Sequence, residues 1–279
     1  MSDASGALTR VEISDEELQS LTNAIRQRYG IDFTNYEKKS LKRGFARVIS
    51  KHNLETLLGL WSKVLKDREF ILGMIDDLMV NLTELFRNPE IWVKIKQDIL
   101  FRNKYENGID IWHAGCSTGE EIYTMALVLN DAGLLGSART LATDLSTMAL
   151  EKAKAGRYPD IIFRKYLSSF HKYFPGADVN KYFEVNEEEA VIRPAFKSHI
   201  TFQRHNLAQD TMHKKFDIIF CRNVMIYFDD ALKMKVLTLF HQSLKPEGYF
   251  VIGYYDLLPD RSKDLFVLHD PVTRIYRKK

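Results

Sequence analysis

The chain of 279 residues is 45% hydrophobic and 28% charged with a net charge of +3, the composition of a folded protein of one large or two ordinary domains. No apolar run approaches the roughly 20 residues that span a bilayer, the opening "MSDASGALTRVEISDEE" lacks the apolar stretch of a secretory leader, and the two cysteines, Cys116 and Cys221, have neither the number nor the spacing of a disulfide framework or a zinc site. A reduced, cytoplasmic protein with no membrane insertion and no bound metal is expected, and so small a net charge names no partner.

Residues 14 to about 86 carry helical signals only, and a helical N-terminal domain over residues 10–88 is expected. Ser14 and Glu17 in "ISDEEL" fit a capping box. "YEKKSLKRGFARVISKH" sets Leu41, Phe45, Val48 and Ile49 at helical spacing, and "NLETLLGLWSKVL" and "REFILGMIDDLMVNLTELF" continue the pattern. On the opposite side of the second of these helices Lys39, Arg43, Arg47 and Lys51 recur every fourth residue. Like charges at that spacing weaken a helix by a few tenths of a kcal/mol per pair. The stripe is therefore either a solvated face or a docking surface for an acidic partner.

A second domain over residues 89–279 is expected, and from about residue 109 it alternates between strands and helices. "IDIWHAG" reads as a strand, "STGEEIYTMALVLNDAG" as a helix with a glycine stop, "ARTLATD" as a second strand and "STMALEKAKAG" as a second helix capped by Ser146. "HITFQRHN", "FDIIFCRN", a helix over about 230–244 and "GYFVIGYY" follow, and "LFVLHD" and "RIYRKK" close the chain as an antiparallel pair. The fold class is α/β, a mostly parallel sheet covered on both faces. Residues at about 160–199 interrupt the alternation, and "YFEVNEEEAVIRP" there predicts a small β-hairpin insertion.

In such sheets ligands sit beyond the carboxyl ends of the strands, which draws "GCSTGEE", "ATD", "HNL" and "CRNVMIYF" to one crevice. The loop from Gly115 to Gly119 is followed by Glu120 and Glu121, so it matches neither a P-loop nor a dinucleotide fingerprint. The two carboxylates either complement a helix dipole or select a cationic nucleoside without phosphate, such as S-adenosylmethionine. Asp144, ending the second strand, either accepts ribose hydroxyls or caps the next helix. Asn206 and Leu207 can flank an adenine. Thr83 and Arg87 stand at i, i+4, on one face of a predicted helix at the domain junction. Arg222, Asn223 and Tyr227 follow a buried strand. The cysteines read as packing residues, and the eight histidines show no metal-ligand spacing.

The ordered set "YGIDFTNYEKKSLKRGFARVI", "NLTELFRNPEIW", "AGCSTGEEIYTMAL", "ATDLSTMALEKAKAGRYP", "ITFQRHNL", "FDIIFCRNVMIYFD" and "LKPEGYFVIG" resembles the CheR-type chemotaxis receptor glutamate methyltransferases over nearly the whole chain. The resemblance implies an all-α N-terminal domain before a class I, Rossmann-like S-adenosylmethionine-dependent methyltransferase domain with a small β-subdomain. It implies methyl esterification of glutamates on the cytoplasmic helical region of chemoreceptors, with S-adenosyl-L-homocysteine as coproduct. Carried over residue by residue, it puts Asn81, Thr83, Arg87, Gly115, Glu121, Asp144, Asn206, Leu207, Arg222 and Asn223 at the cofactor and Tyr227 near the transferred methyl. Arg87 and Tyr227 are the candidate catalytic residues, and Lys39, Arg43, Arg47 and Lys51 the candidate docking face. A monomer recruited to membrane receptor arrays, binding no nucleic acid, is expected. The chain departs from the pattern at His113 and Ile122, where Ser and Pro are usual, and at Gly253-Tyr254-Tyr255-Asp256, where Gly-His-Ser-Glu is usual.

A glutamate side chain ionises near pH 4.3, so at neutral pH its methylation needs no catalytic base, only alignment. Two rival readings remain open in the sequence: a nucleic-acid methyltransferase using the basic helix on phosphates, and a cofactor-binding adaptor without turnover.

Overall fold

Ser14 opens the first helix with the predicted capping box. Its hydroxyl accepts from the Glu17 amide at 3.1 Å and the Glu17 carboxylate accepts from the Ser14 amide at 2.8 Å. Two donors otherwise orphaned at that terminus are thereby satisfied. The computed structural model of the chain describes residues 12–78, 83–103 and 105–279, and nothing of the Leu72 side chain. These residues form two compact units: one runs to residue 78 and takes in Tyr227–Asp229, the other begins at Thr83 and holds the remainder.

The first unit contains α1 (Asp15–Tyr29), α2 (Lys38–Lys51), α3 (Leu57–Lys66) and α4 (Arg68–Leu78). Leu21, Ile25, Phe45, Val48, Leu60, Val64 and Met74 form its buried core. Gly44 on α2 sets the approach of α4, since a Cβ there would lie 3.0 Å from Leu78 Cδ2. Tyr36 bridges to Phe228, and the Glu37 amide donates to the Tyr227 carbonyl at 2.8 Å, which is how that segment joins the helical unit.

The basic stripe of α2 is exposed as predicted, but it is not uniform. Arg47 donates from Nη2 to the Leu78 carbonyl at 3.0 Å and from Nε to the Asp77 carbonyl at 3.3 Å. Lys51 and His52 both reach the Asp77 carboxylate. Arg47 and Lys51, though exposed, thus also serve the C-terminal end of α4, where the helix dipole favours positive charge. Lys39 and Arg43 make no side-chain hydrogen bond or ion pair among the described residues.

The second unit opens with a non-helical segment, 83–88, then α5 (Pro89–Lys94), which continues as a π-helical turn to Leu100. The predicted helix through Thr83 and Arg87 is not formed. Phe86 and Asn88 have positive φ of 52° and 57°, and Asn88 precedes a proline, which disfavours helix at that position. The expected i, i+4 pairing is replaced by an irregular turn whose Leu85 and Phe86 are buried in the core of this unit. The two compact units divide ahead of Thr83.

Then follow β1 (Ile109–Ala114), α6 (Glu120–Asp131), β2 (Ala138–Asp144), α7 (Thr147–Ala155), β3 (Arg157–Pro159), α8 (Asp160–Tyr173), β4 (Phe183–Val185), β5 (Glu189–Ile192), β6 (Ile200–Arg204), β7 (Phe216–Cys221), α9 (Asp230–Ser243), β8 (Leu244–Ile252), β9 (Phe266–Asp270) and β10 (Ile275–Lys278). The main sheet has the order β6-β2-β1-β7-β8-β10-β9, parallel except where β10 pairs with β8 and β9. This is the α/β class expected. Chain order reverses between β1 and β7, the switch point at which open sheets leave a crevice. The insertion is larger than the predicted hairpin of β4 and β5. It adds α8, and β3 completes a three-stranded antiparallel sheet in the order β3-β5-β4.

Burial pushes the Asp77 carboxyl upward, but Lys51 and His52 hold it below the ordinary carboxylate range. A carboxyl so depressed stabilises the fold above its unfolded pKa of about 4 and loses that contribution as pH falls through the depressed value. Asp77→Asn should therefore lower stability at pH 7 by about 1 kcal/mol, a modest figure because Lys51 is 59% exposed. The deficit should fade below about pH 4, and urea unfolding of both proteins across pH checks it.

Candidate active site

The loop leaving β1 is shaped by close backbone approach. Gly115 has φ 83°, and a Cβ there would lie 2.5 Å from Val224 Cγ2. The Gly115 and Cys116 amides both donate to the Thr143 carbonyl, at 2.8 and 2.9 Å, which hooks the loop onto β2. Ser117 (φ 49°) and Gly119 (φ 96°) complete the turn. The helix that the sequence predicts from Ser117 consequently starts at Glu120, once these positive-φ residues are passed.

Asp144 sits at the end of β2 and is buried. One carboxylate oxygen accepts from the Ser117 amide at 2.8 Å, the other from the Ser146 amide at 2.9 Å. Ser146 itself caps α7 through the Ala149 amide at 2.8 Å. Asp144 is thus a tie between two loops rather than the helix cap. A carboxylate offers about four acceptor positions, so further donors such as ribose hydroxyls remain compatible with these bonds. The Ser117 hydroxyl oxygen is buried with no hydrogen-bond partner among the described residues.

The two consecutive glutamates have different environments. Glu121 accepts from His113 Nδ1 at 2.8 Å through one oxygen and from Arg222 Nη1 at 3.2 Å through the other. Burial alone would push its carboxyl upward, but the His113 hydrogen bond and the Arg222 charge bring it below the ordinary range. Arg222, beyond β7, also donates from Nη2 to Asn88 Oδ1 at 2.9 Å and to the Arg87 carbonyl at 3.2 Å, and its guanidinium lies 5.5 Å from the Trp92 ring centroid. Glu120 has no such cation among the described residues: it accepts from the Thr118 hydroxyl at 2.7 Å and the Tyr166 hydroxyl at 3.2 Å, and burial raises its carboxyl. Tyr166, on α8, also donates to the Thr83 carbonyl at 3.3 Å, so the insertion touches the segment carrying Thr83.

Asn223 has φ 61° and its amide donates to Asp256 Oδ2 at 2.7 Å. Asp256 is fully buried and also accepts from the Gly253 and Ile226 amides at 2.9 and 3.1 Å. Gly253 leaves room for this turn, because a Cβ there would meet Asn223 Oδ1 at 2.7 Å. In the sequence His113 and Asp256 stand out only as departures from the family pattern. The available signals were an imidazole inside an apolar strand and a carboxylate just after another.

Asn206 uses its amide within its own turn, donating to Gln209 Oε1 at 2.8 Å and accepting from the Ala208 amide at 3.0 Å, and Leu207 is buried beside it. Arg87 is partly exposed, its Nε 4.0 Å from Glu84. Asn81 lies outside the described residues. Tyr227 groups with the helical unit. Cys116 and Cys221 are buried and burial pushes both thiols well up, so neither is an activated nucleophile. Among the described residues no cluster of three or more His, Cys, Asp or Glu is placed to hold a metal ion, and no helix is long and apolar enough to cross a membrane.

Two family descriptions match: "CheR methyltransferase, SAM binding domain" over residues 81–272, and "CheR methyltransferase, all-alpha domain" over residues 16–79. The chain belongs to the CheR methyltransferase family. It is similar to the putative methyltransferase Cher3 of Pseudomonas putida, 31% identical over 246 residues that cover 88% of this chain and 90% of that protein. It is 30% identical over 258 residues to a chemotaxis protein methyltransferase of Vibrio anguillarum, with 88% and 90% of the two chains covered. A chemotaxis protein methyltransferase of Borreliella burgdorferi is 29% identical over 265 residues, covering 89% of this chain and 90% of the other.

As a CheR methyltransferase the protein uses S-adenosylmethionine, and the donor set at the switch point fits that cofactor. Two carboxylates, Glu121 and Asp144, and an unpartnered hydroxyl, Ser117, surround a loop without a lysine. Such a set suits a nucleoside bearing an ammonium and a sulfonium and no phosphate. Replacing Asp144 by Ala should weaken S-adenosylmethionine binding by about 1.5 to 3 kcal/mol, measured by calorimetry. Unchanged affinity would remove Asp144 from the cofactor site and leave it a tie between loops.

Proposed function

We propose that this methyltransferase esterifies glutamate side chains on the cytoplasmic helical region of chemotaxis receptors, working in the cytoplasm as a monomer recruited to receptor arrays. The relatives named as chemotaxis protein methyltransferases support the setting. The observation that carries the substrate class is the state of the bases at the switch point. His113 is engaged with Glu121, both thiols are buried and protonated, and Glu121 is itself tied to Arg222. That arrangement suits a nucleophile that arrives already ionised, which a glutamate carboxylate is at neutral pH.

Bound S-adenosylmethionine supplies a methyl group made electrophilic by its sulfonium. The protein's share is alignment, which contributes several kcal/mol and up to roughly 7 to 11 in the best cases. Arg87, adjacent to the Arg222–Glu121 pair through its own carbonyl, is the cation proposed to orient a carboxylate, and Tyr227 the hydroxyl proposed to approach the transferred methyl. Lys39, Arg43, Arg47 and Lys51 on α2 are the exposed cations proposed to meet acidic receptor helices, and Arg47 and Lys51 also contact α4.

Methyl label from the cofactor should pass to a receptor-containing membrane fraction and be released as methanol by mild alkali. Alkali-stable label would point to N- or base methylation instead, and cofactor binding without transfer to an adaptor. The double variant Lys39→Glu/Arg43→Glu should raise KM for receptor severalfold, with the effect diminishing as salt shortens the Debye length below about 8 Å, while calorimetric affinity for S-adenosylmethionine holds. Equal rates at subsaturating receptor would exclude this face. Arg87→Ala should lower kcat roughly 10- to 100-fold if its contact forms only in the transition state. A fall explained wholly by weaker cofactor binding would make Arg87 a binding residue.

A further inference from the structure

His113 is fully buried on the central strand β1, its ring stacked on Phe220 at 4.6 Å between centroids and 5° between planes. Its Nδ1 lies 2.8 Å from Glu121 Oε1, and its Nε2 has no hydrogen-bond partner among the described residues. A deprotonated carboxylate has no hydrogen to give, so the hydrogen of this contact belongs to Nδ1. The stacking fixes the ring plane and the strand fixes its origin, leaving the imidazole little freedom except to serve Glu121. Arg222 holds the other oxygen of the same carboxylate.

We propose that His113 is a positioning residue for the cofactor: by donating from Nδ1 it holds Glu121 as an oriented anion, and the affinity for S-adenosylmethionine depends on it. The inference rests on the reading of Glu121 as a cofactor contact. With Arg222 alone, Glu121 would be gripped by one oxygen at 3.2 Å and free to swing about that contact. With both, each oxygen has a fixed donor and still has capacity to accept from a cationic ligand. The other titratable groups bearing on this carboxylate are the buried thiols of Cys116 and Cys221 and the neighbouring Glu120, while His199 bears on His113 and Asp256 on Arg222. None of them supplies a hydrogen bond to Glu121 that would substitute for the imidazole. Removing the His113 donor should also let the carboxyl take a proton at higher pH, since a hydrogen bond to the charged form is what it loses.

The test is calorimetric affinity for S-adenosylmethionine from pH 5 to 8 in the wild type, His113→Leu, His113→Asn and Glu121→Gln. The wild type should bind nearly uniformly across this range. His113→Leu should bind roughly 10- to 100-fold more weakly at pH 7.5, and its affinity should fall further toward pH 5 as Glu121 protonates. His113→Asn, whose side-chain amide presents an N–H close to where Nδ1 stands, should recover most of the affinity and the flat profile. Glu121→Gln should bind weakly with no such acid limb. Wild-type affinity and profile in His113→Leu, with Glu121→Gln weak, would overturn the role of His113 and leave Glu121 in place. Wild-type affinity in Glu121→Gln would overturn the reading of Glu121 on which the inference stands. Nitrogen NMR of the wild-type imidazole needs no variant: a proton on Nδ1 is expected, and a bare Nδ1 with the proton on Nε2 would overturn the proposal even if His113→Leu fails to fold.

Discussion

A carboxylate withdrawn from water persists as an anion only where donors and cations replace the hydration it loses. Glu121 meets that constraint at the switch point of the sheet, and much of the surrounding architecture follows from it. His113 must come from β1 and Arg222 from the end of β7, so the two strands flanking the crevice are linked through one side chain of the helix between them in sequence. Arg222 in turn collects Asn88 and the Arg87 carbonyl, and lies over Trp92. The irregular 83–88 segment is thereby fastened to the carboxyl end of the sheet. A single partly buried charge fixes three chain segments at once.

The second constraint is backbone conformation. Gly115 and Gly253 lie against Val224 and Asn223 at distances no Cβ can share, and Ser117 and Asn223 hold positive φ without being glycine. The cost of such conformations is offset by local hydrogen bonds from buried carboxylates: Asp144 takes the Ser117 amide and Asp256 takes the Asn223 amide. The same device appears twice, once on each side of the switch point, and in both cases an acidic side chain shapes a loop as well as charging it. The acidic character of the site is therefore structural and electrostatic together, which explains why a lysine of the phosphate-binding kind has no place there.

The inserted α8 is part of this framework. Phe86 packs against Phe170, Tyr173 and Phe174, and the Tyr166 hydroxyl reaches both Glu120 and the Thr83 carbonyl. Glu120 and Glu121, adjacent in sequence, thus face opposite duties: one meets a tyrosine of the insertion without a cation, the other is the paired anion of the crevice.

Period and punctuation in the sequence determined the helical first unit, the parallel order of strands and helices, the capping box at Ser14, the stop at Gly156 and the gathering of Gly115, Asp144 and Arg222 at strand ends, because these depend on neighbours a few residues apart and on the handed rules of α/β sheets. The ordered motifs carried the family as well. What lay out of reach depended on contacts between distant residues. The turn through Phe86 and Asn88 overrode a helical pattern because the core of the second unit takes Leu85 and Phe86, and the third strand and long helix of the insertion carried no periodic signal strong enough to separate them from a loop. Only the fold shows that Arg47 meets the last carbonyls of α4 and Lys51 the Asp77 carboxylate. His113 and Asp256 looked like mere departures until the fold set one against Glu121 and the other beneath Asn223. Only tertiary structure decides which donors replace water around a partly buried charge, since the residues that do so here are separated by up to about a hundred positions in the chain.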